Sequence, residues 1–149
     1  MVSWEGHTFK GWEPALPETV TEGRTFNNPY KAQWEWNVYD VTFDSQGGSE
    51  VAAKWAYHGV NVDAPTAPTK EGHTLGGWYQ DTNYTTEWDF ATALTSPVTL
   101  YAKWTVDSFD VRFHVSGNDL ESDADSIIKV TYGQPYGTLP EPTKDGYTF

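Results

Sequence analysis

Apolar and polar residues alternate along much of the chain, and the alternation predicts strands. Val41 and Phe43 alternate with Thr42 and Asp44, and Ser45-Gln46-Gly47-Gly48-Ser49 carries turn chemistry. Tyr39 to Glu50 therefore reads as a strand entering a hairpin. Val51, Ala53, Trp55 and Tyr57 share one face at period two and predict the returning strand. Pro65 and Pro68 make the segment from Val62 to Thr69 an extended connection, because proline lacks a ladder donor and restricts the residue before it. Thr74 to Tyr79 reads as a third strand, where Gly76-Gly77 permits a bulge or a close backbone approach. Asp81 to Thr86 is a loop, Trp88 to Leu94 has room for one helical turn, and Val98 to Trp104 is a closing strand. The expectation is a small α+β unit, mainly β, with about four strands and at most one short helix.

This pattern recurs. Pro68-Thr69-Lys70-Glu71-Gly72-His73-Thr74-Leu75-Gly76-Gly77-Trp78 is matched in its second half by Glu5 to Trp12 and in its first half by Pro142 to Phe149. Tyr39-Asp40-Val41-Thr42-Phe43 recurs as Phe109-Asp110-Val111-Arg112-Phe113, a shift of 109 − 39 = 70. Ala32-Gln33-Trp34 recurs as Ala102-Lys103-Trp104, and 102 − 32 is again 70. The Gly-His/Tyr-Thr core shifts first by 72 − 6 = 66 and then by 146 − 72 = 74. A period of this size marks a tandem array of supersecondary units. Three segments follow: 1–38 as the C-terminal half of a repeat, 39–105 as a complete central repeat, and 106–149 as the N-terminal half of another.

Composition narrows the function. With 21 acidic against 9 basic residues the formal net charge is −12, which argues against nucleic acid, since phosphate binding needs clustered Lys and Arg. The 38% hydrophobic fraction is low, but 8 Trp, 9 Tyr and 7 Phe each bury large areas and can supply small cores. Having no Cys, the chain has no disulfide framework, thiolate metal site or Cys nucleophile. No apolar run reaches membrane-spanning length, so direct membrane insertion is not expected, and Met1-Val2-Ser3-Trp4 is not a signal peptide. Starting and stopping inside repeats, the chain reads as an excised piece, so the absence of a targeting signal from it is uninformative.

The motifs resemble a known family. Val41 to Gly48, Pro68 to Tyr79, Trp88-Asp89-Phe90 and Leu100 to Trp104 occur in the order of the Listeria–Bacteroides repeat, which includes the B-repeat of internalin B. The resemblance implies a β-grasp-like fold, similar to ubiquitin-type domains, strung in tandem in secreted or wall-anchored bacterial surface proteins. It also implies spacer and adhesive roles and an extracellular, cell-surface location. The residues carrying the structural motif are Phe43, Gly72, Thr74, Gly77, Trp78, Trp88, Phe90, Tyr101 and Trp104.

Candidate chemistry is sparse. His7 and His73 share a repeat position that Tyr147 fills in the third copy, so they read as turn residues, because a ligand or general base does not survive replacement by Tyr. His58 and His114 lack a spaced partner for metal binding. Leu16-Pro17-Glu18-Thr19-Val20 resembles a sortase signal but has Val where Gly is required. Asp119, Glu121, Asp123 and Asp125 invite a calcium hypothesis, yet lack the Gly and bidentate Glu of an EF-hand loop and read better as a solvated acidic loop. Nucleophile elbows, phosphate loops and paired catalytic carboxylates are absent, so no catalytic residue, metal or cofactor is expected, and the protein is not expected to be an enzyme.

The expected function is a tandem-repeat spacer and adhesion segment. The alternative is a carbohydrate-binding module that uses exposed aromatic rings, for which Trp4, Trp36 and Trp55 are the candidates because they are not all matched between copies. Expected partners are neighbouring repeats or other copies of the chain, head to tail, with a host surface protein or glycan as a further possibility. A half-repeat exposes unpaired edges, and each terminal half supplies what the other lacks. They are therefore expected to complement each other, between molecules rather than within one.

Overall fold

Val41 and Phe43 face inward from one strand, Leu100 and Ala102 from its parallel neighbour, and the central repeat is built on that contact. The computed structural model describes residues 3–16, 19, 30–113, 126–141, 146 and 148. Its strands are β1 (His7–Glu13), β2 (Lys31–Trp36), β3 (Val38–Asp44), β4 (Lys54–Tyr57), β5 (His73–Tyr79), β6 (Val98–Val106), β7 (Ser108–Phe113) and β8 (Ser126–Thr131). The central sheet runs β4-β3-β6-β5, while β1-β2 and β7-β8 form separate two-stranded sheets. Within the central sheet β3 and β6 are parallel and the outer pairs antiparallel, a β-grasp-like arrangement in which the first and last strands lie side by side. Among the described residues there is no helix.

Alternation decides which side is core. Val41 and Leu100 are fully buried, and Phe43, Ala56, Trp78, Val62, Leu94 and Ala102 close around them. Phe43 meets Trp78 edge to face at 4.9 Å between ring centres, and Phe90 lies nearly parallel to it at 6.4 Å. Trp104 turns its indole N–H to the Ser45 carbonyl at 2.8 Å, tying the end of the sheet to the first hairpin turn. The ring then lies over Gly48, where a Cβ would stand 2.6 Å from Cζ2, so that turn position must be glycine.

Two expectations change. Trp88 to Leu94 closes one local turn, Thr92 N–H to Asp89 O at 2.9 Å, and does not continue into a helix, because other backbone groups of the segment are taken from outside it. Trp88 N–H donates to Trp78 O, Leu94 N–H to Val60 O, and the Leu94 carbonyl accepts from Gly59 N–H. The Asn61 side chain holds the Phe90 carbonyl. A helix would need those same groups. The returning strand begins at Lys54, not Val51, because the Ser49 N–H and hydroxyl are both bonded to Thr69 and hold the chain away from β3 until the turn is complete.

The flanking hairpins reproduce the central ones in register. Phe9 pairs with Trp34 as Leu75 pairs with Trp104, and both ladders shift at the following glycine, Gly11 or Gly77. Both glycines have positive φ, +129° and +136°, which is the conformation the predicted bulge needs. Likewise Phe109 pairs with Val130 as Tyr39 pairs with Ala56.

Candidate functional site

The first hairpin and the central repeat are separated by one residue, Asn37, and the central repeat and the last hairpin by one residue, Asp107. Each is bonded on both sides. Asn37 N–H donates to Gly6 O at 2.9 Å, and its carbonyl accepts from His58 N–H at 2.9 Å. Asp107 N–H donates to Gly72 O at 2.9 Å, and its carbonyl accepts from Tyr132 N–H at 2.8 Å. The side chains match as well: the Thr8 hydroxyl donates to Asn37 Oδ1 at 2.6 Å and the Thr74 hydroxyl to Asp107 Oδ1 at 2.7 Å.

A ring from the following repeat covers the glycine in each case. A Cβ on Gly6 would stand 2.7 Å from the His58 ring, and one on Gly72 only 2.0 Å from the Tyr132 ring. The ring tips face equivalent carboxylates. His58 Nε2 lies 3.7 Å from Glu5 Oε1, and the Tyr132 phenol hydrogen-bonds Glu71. That hydrogen bond, then partial desolvation and the carboxylate's charge, raise the Tyr132 pKa above its ordinary value of 10.0. The buried Nδ1 of His58 has no partner, which favours the tautomer with its proton on Nε2, toward Glu5. His7 and His73 hold the turns themselves, with Nδ1 bonded to the Glu5 and Glu71 carbonyls at 2.9 and 2.7 Å.

An exposed aromatic ridge crosses the first joint. Trp4 stacks on His7 at 3.8 Å, and His7 lies 3.9 Å from Trp36. Trp36 reaches Tyr57 of the central repeat at 5.9 Å, and Tyr57 meets Trp55 at 5.7 Å. Trp4, Trp36, Tyr57 and Trp55 are 55%, 53%, 45% and 61% exposed, which is unusual for four large rings in one row, joined between Trp4 and Trp36 by His7. Trp55 and Tyr57 point outward because the inward position of β4 is taken by Ala56. Beside them lies an open groove of about 460 Å³ lined by Ala53 to Tyr57 and Val60 to Asp63. Lys54 Nζ binds the Asp63 and Ala64 carbonyls at 2.7 and 3.2 Å and closes that edge.

Of the expected motif residues, Phe43 and Trp78 are buried, while Trp88, Phe90 and Trp104 pack partly buried against the core. Gly77 forms the bulge, Tyr101 stands half-buried opposite Tyr79, and Gly72 and Thr74 belong to the second joint. The candidate ligand rings Trp4, Trp36 and Trp55 come together on the ridge. His58 and Tyr132 at the joints are not evident locally. Their signal is a ring directly before glycine, His58-Gly59 and Tyr132-Gly133, at the same 74-residue shift (132 − 58) as Gly72 and Gly146. His114, the acidic run 119–125 and most of the 16–20 motif lie outside the described residues. Among the described residues no three His, Asp or Glu side chains converge on a point where a metal ion would sit, and no helix is long and apolar enough to cross a membrane.

Comparison with known proteins agrees with the repeat read from the chain. The model of the Listeria-Bacteroides repeat domain matches residues 39–103 and 109–149. The chain is 39% identical over 155 residues to a protein of Evansella cellulosilytica named "Putative membrane protein", covering 97% of this chain and 22% of that protein. It is 35% identical over 146 residues to internalin H of Listeria monocytogenes, covering 95% of this chain and 23% of that one. It thus spans about a fifth of the length of these curated relatives. The matched segments take in most of the central sheet and of the hairpin that follows it, and the chain belongs to the Listeria-Bacteroides repeat family.

Proposed function

We propose that this chain is a spacer and adhesion segment of a bacterial cell-surface protein. The observation that carries the reading is the parallel β3–β6 pair: the chain enters the central sheet at Val38 and leaves from the opposite end at Val106. Repeats joined this way extend along a line instead of folding back. Family membership and the similarity to internalin H support a surface location. The reading assigns no reaction, cofactor or metal. Scattering from arrays of one, two and four repeats tests it. Maximum dimension growing in proportion to repeat number is expected, and a dimension that levels off would rule out a spacer.

A second reading rests on the aromatic ridge. Exposed indole and phenol faces stack on sugar rings, and four connected rings give a ligand more than one platform. Titration of the tryptophan fluorescence with cellohexaose, chitohexaose and soluble xylan tests this. Saturable quenching that Trp55→Ala removes supports glycan binding, and no change with all three ends it for these classes.

The partners proposed are neighbouring repeats or other copies. Among the described residues β2 lacks the neighbour that β6 finds in β3, and β7 lacks the one that β3 finds in β6. The two edges are therefore complementary between molecules, head to tail. Light scattering across a concentration series reads this directly: molar mass should climb above 16.8 kDa as concentration rises, and a constant mass would refute it.

A further inference from the structure

We propose that the one-residue joints are fixed docking surfaces between repeats, in which the Glu-Gly-His turn of one repeat seats the ring that ends the first hairpin of the next. The partner each surface fits is another repeat of the same kind, and the array is a rod with a set angle at every joint instead of beads on a thread. This goes beyond a spacer role, which flexible and stiff arrays fill equally, and it requires no ligand.

One chain builds the joint twice from different residues. Asn37 in the first joint becomes Asp107 in the second, and both use Oδ1 to accept from a threonine hydroxyl. His58 becomes Tyr132, and both are planar rings whose faces lie on a glycine and whose tips point at a glutamate. Chain continuity alone requires none of this. A linker of one residue that needed only to connect would leave its N–H and C=O to water. Here both groups are bonded, the N–H back to the preceding repeat and the C=O forward to the next. Three hydrogen bonds and one ring contact then restrain the two backbone torsions of a single residue. Those torsions are the softest coordinates between the repeats. The glycines add a steric limit: with φ of +71° and +66° and a ring against the missing side chain, no larger residue fits either turn.

The test uses the absence of native Cys. Spin labels are placed on Thr82→Cys in the central repeat and Lys129→Cys in the last hairpin, and their distance distribution is measured by pulsed electron resonance. A single narrow distribution is expected. Tyr132→Ala, which removes the ring without touching the turn, is expected to broaden it at least twofold, and so is Gly72→Val. Thermal melting of the central repeat should stay within a few degrees in the Tyr132→Ala variant, separating a loosened joint from a damaged fold. A broad distribution in the parent overturns the proposal. A narrow one that neither variant changes also overturns it, because the angle would then be set elsewhere.

Discussion

The Tyr132 ring lies against Gly72 with the phenol bonded to Glu71, so one side chain reads two consecutive residues of the preceding repeat. Its raised pKa follows from that seat, and the sign of the pH effect follows from the pKa. A phenol whose folded pKa lies above its unfolded value adds stability that is complete below about pH 10 and lost as pH rises through the folded pKa. The second joint should therefore loosen in alkali. A tyrosinate absorbance titration should show one late-titrating group, and Glu71→Gln should bring it back toward the ordinary value.

Asp81 works in the opposite direction. Its carboxylate accepts the Thr85 hydroxyl at 2.8 Å together with the N–H groups of Asn83, Thr85 and Thr86. The Thr85 hydroxyl bond is the largest cause of its pKa lying below the ordinary 3.8. A depressed carboxylate contributes order that is present above the unfolded pKa and lost as pH falls through the folded one. Amide exchange at Thr85 and Thr86 should accelerate on acidification below about pH 4 relative to an Asp-free loop, and Asp81→Ala should show that fast exchange at every pH.

Leu100 is wholly enclosed, whereas Leu139 is half exposed. Leu100→Ala should cost ~2–5 kcal/mol, enough to unfold a marginal domain of this size at physiological temperature. Leu139→Ala should fall within about 0.5 kcal/mol of the parent. Denaturant midpoints at constant slope distinguish the two. Equal effects would mean that the core is not centred where β3 meets β6.

Trp104 and Trp88 differ in one atom's circumstances. The indole N–H of Trp104 is bonded to Ser45 O, while that of Trp88 is buried without a partner. Trp104→Phe should lose about 1 kcal/mol beyond its lost area, the net worth of the bond to Ser45 O, which keeps only the Gly48 N–H as donor. Trp88→Phe discards an unsatisfied donor, which offsets part of the lost contact, so its cost should be the smaller. Chemical denaturation of the two variants side by side checks the order.

Much of this fold was legible in the chain because period-two alternation and turn residues act locally. Val41 and Phe43 announced their strand, Gly76-Gly77 its bulge, and the Gly47-Gly48 turn its hairpin. Trp88 to Leu94 closes a single turn, Thr92 N–H to Asp89 O, and goes no further toward a helix because other groups in it are bonded from Val60, Asn61 and Trp78, outside the segment. The ridge was legible only as three unmatched tryptophans. That Trp36 and Tyr57 would touch depends on how one repeat is set against the next, and no local pattern encodes that. The joints were hidden for the same reason, although the ring-before-glycine pairs were there to be aligned.

The parallel pairing of β3 and β6 also decides what happens when the array is pulled. Tension enters at Val38 and leaves at Val106, so the two strands are drawn past each other lengthwise. The hydrogen bonds from Val41–Val98 to Asp44–Tyr101 are then strained together, and none can be opened singly like a zipper. Phe43 and Leu100 would have to slide over one another before the first of them gives. In the spacer role proposed above, a row of such units would act as a row of clasps, each holding until it fails as a whole.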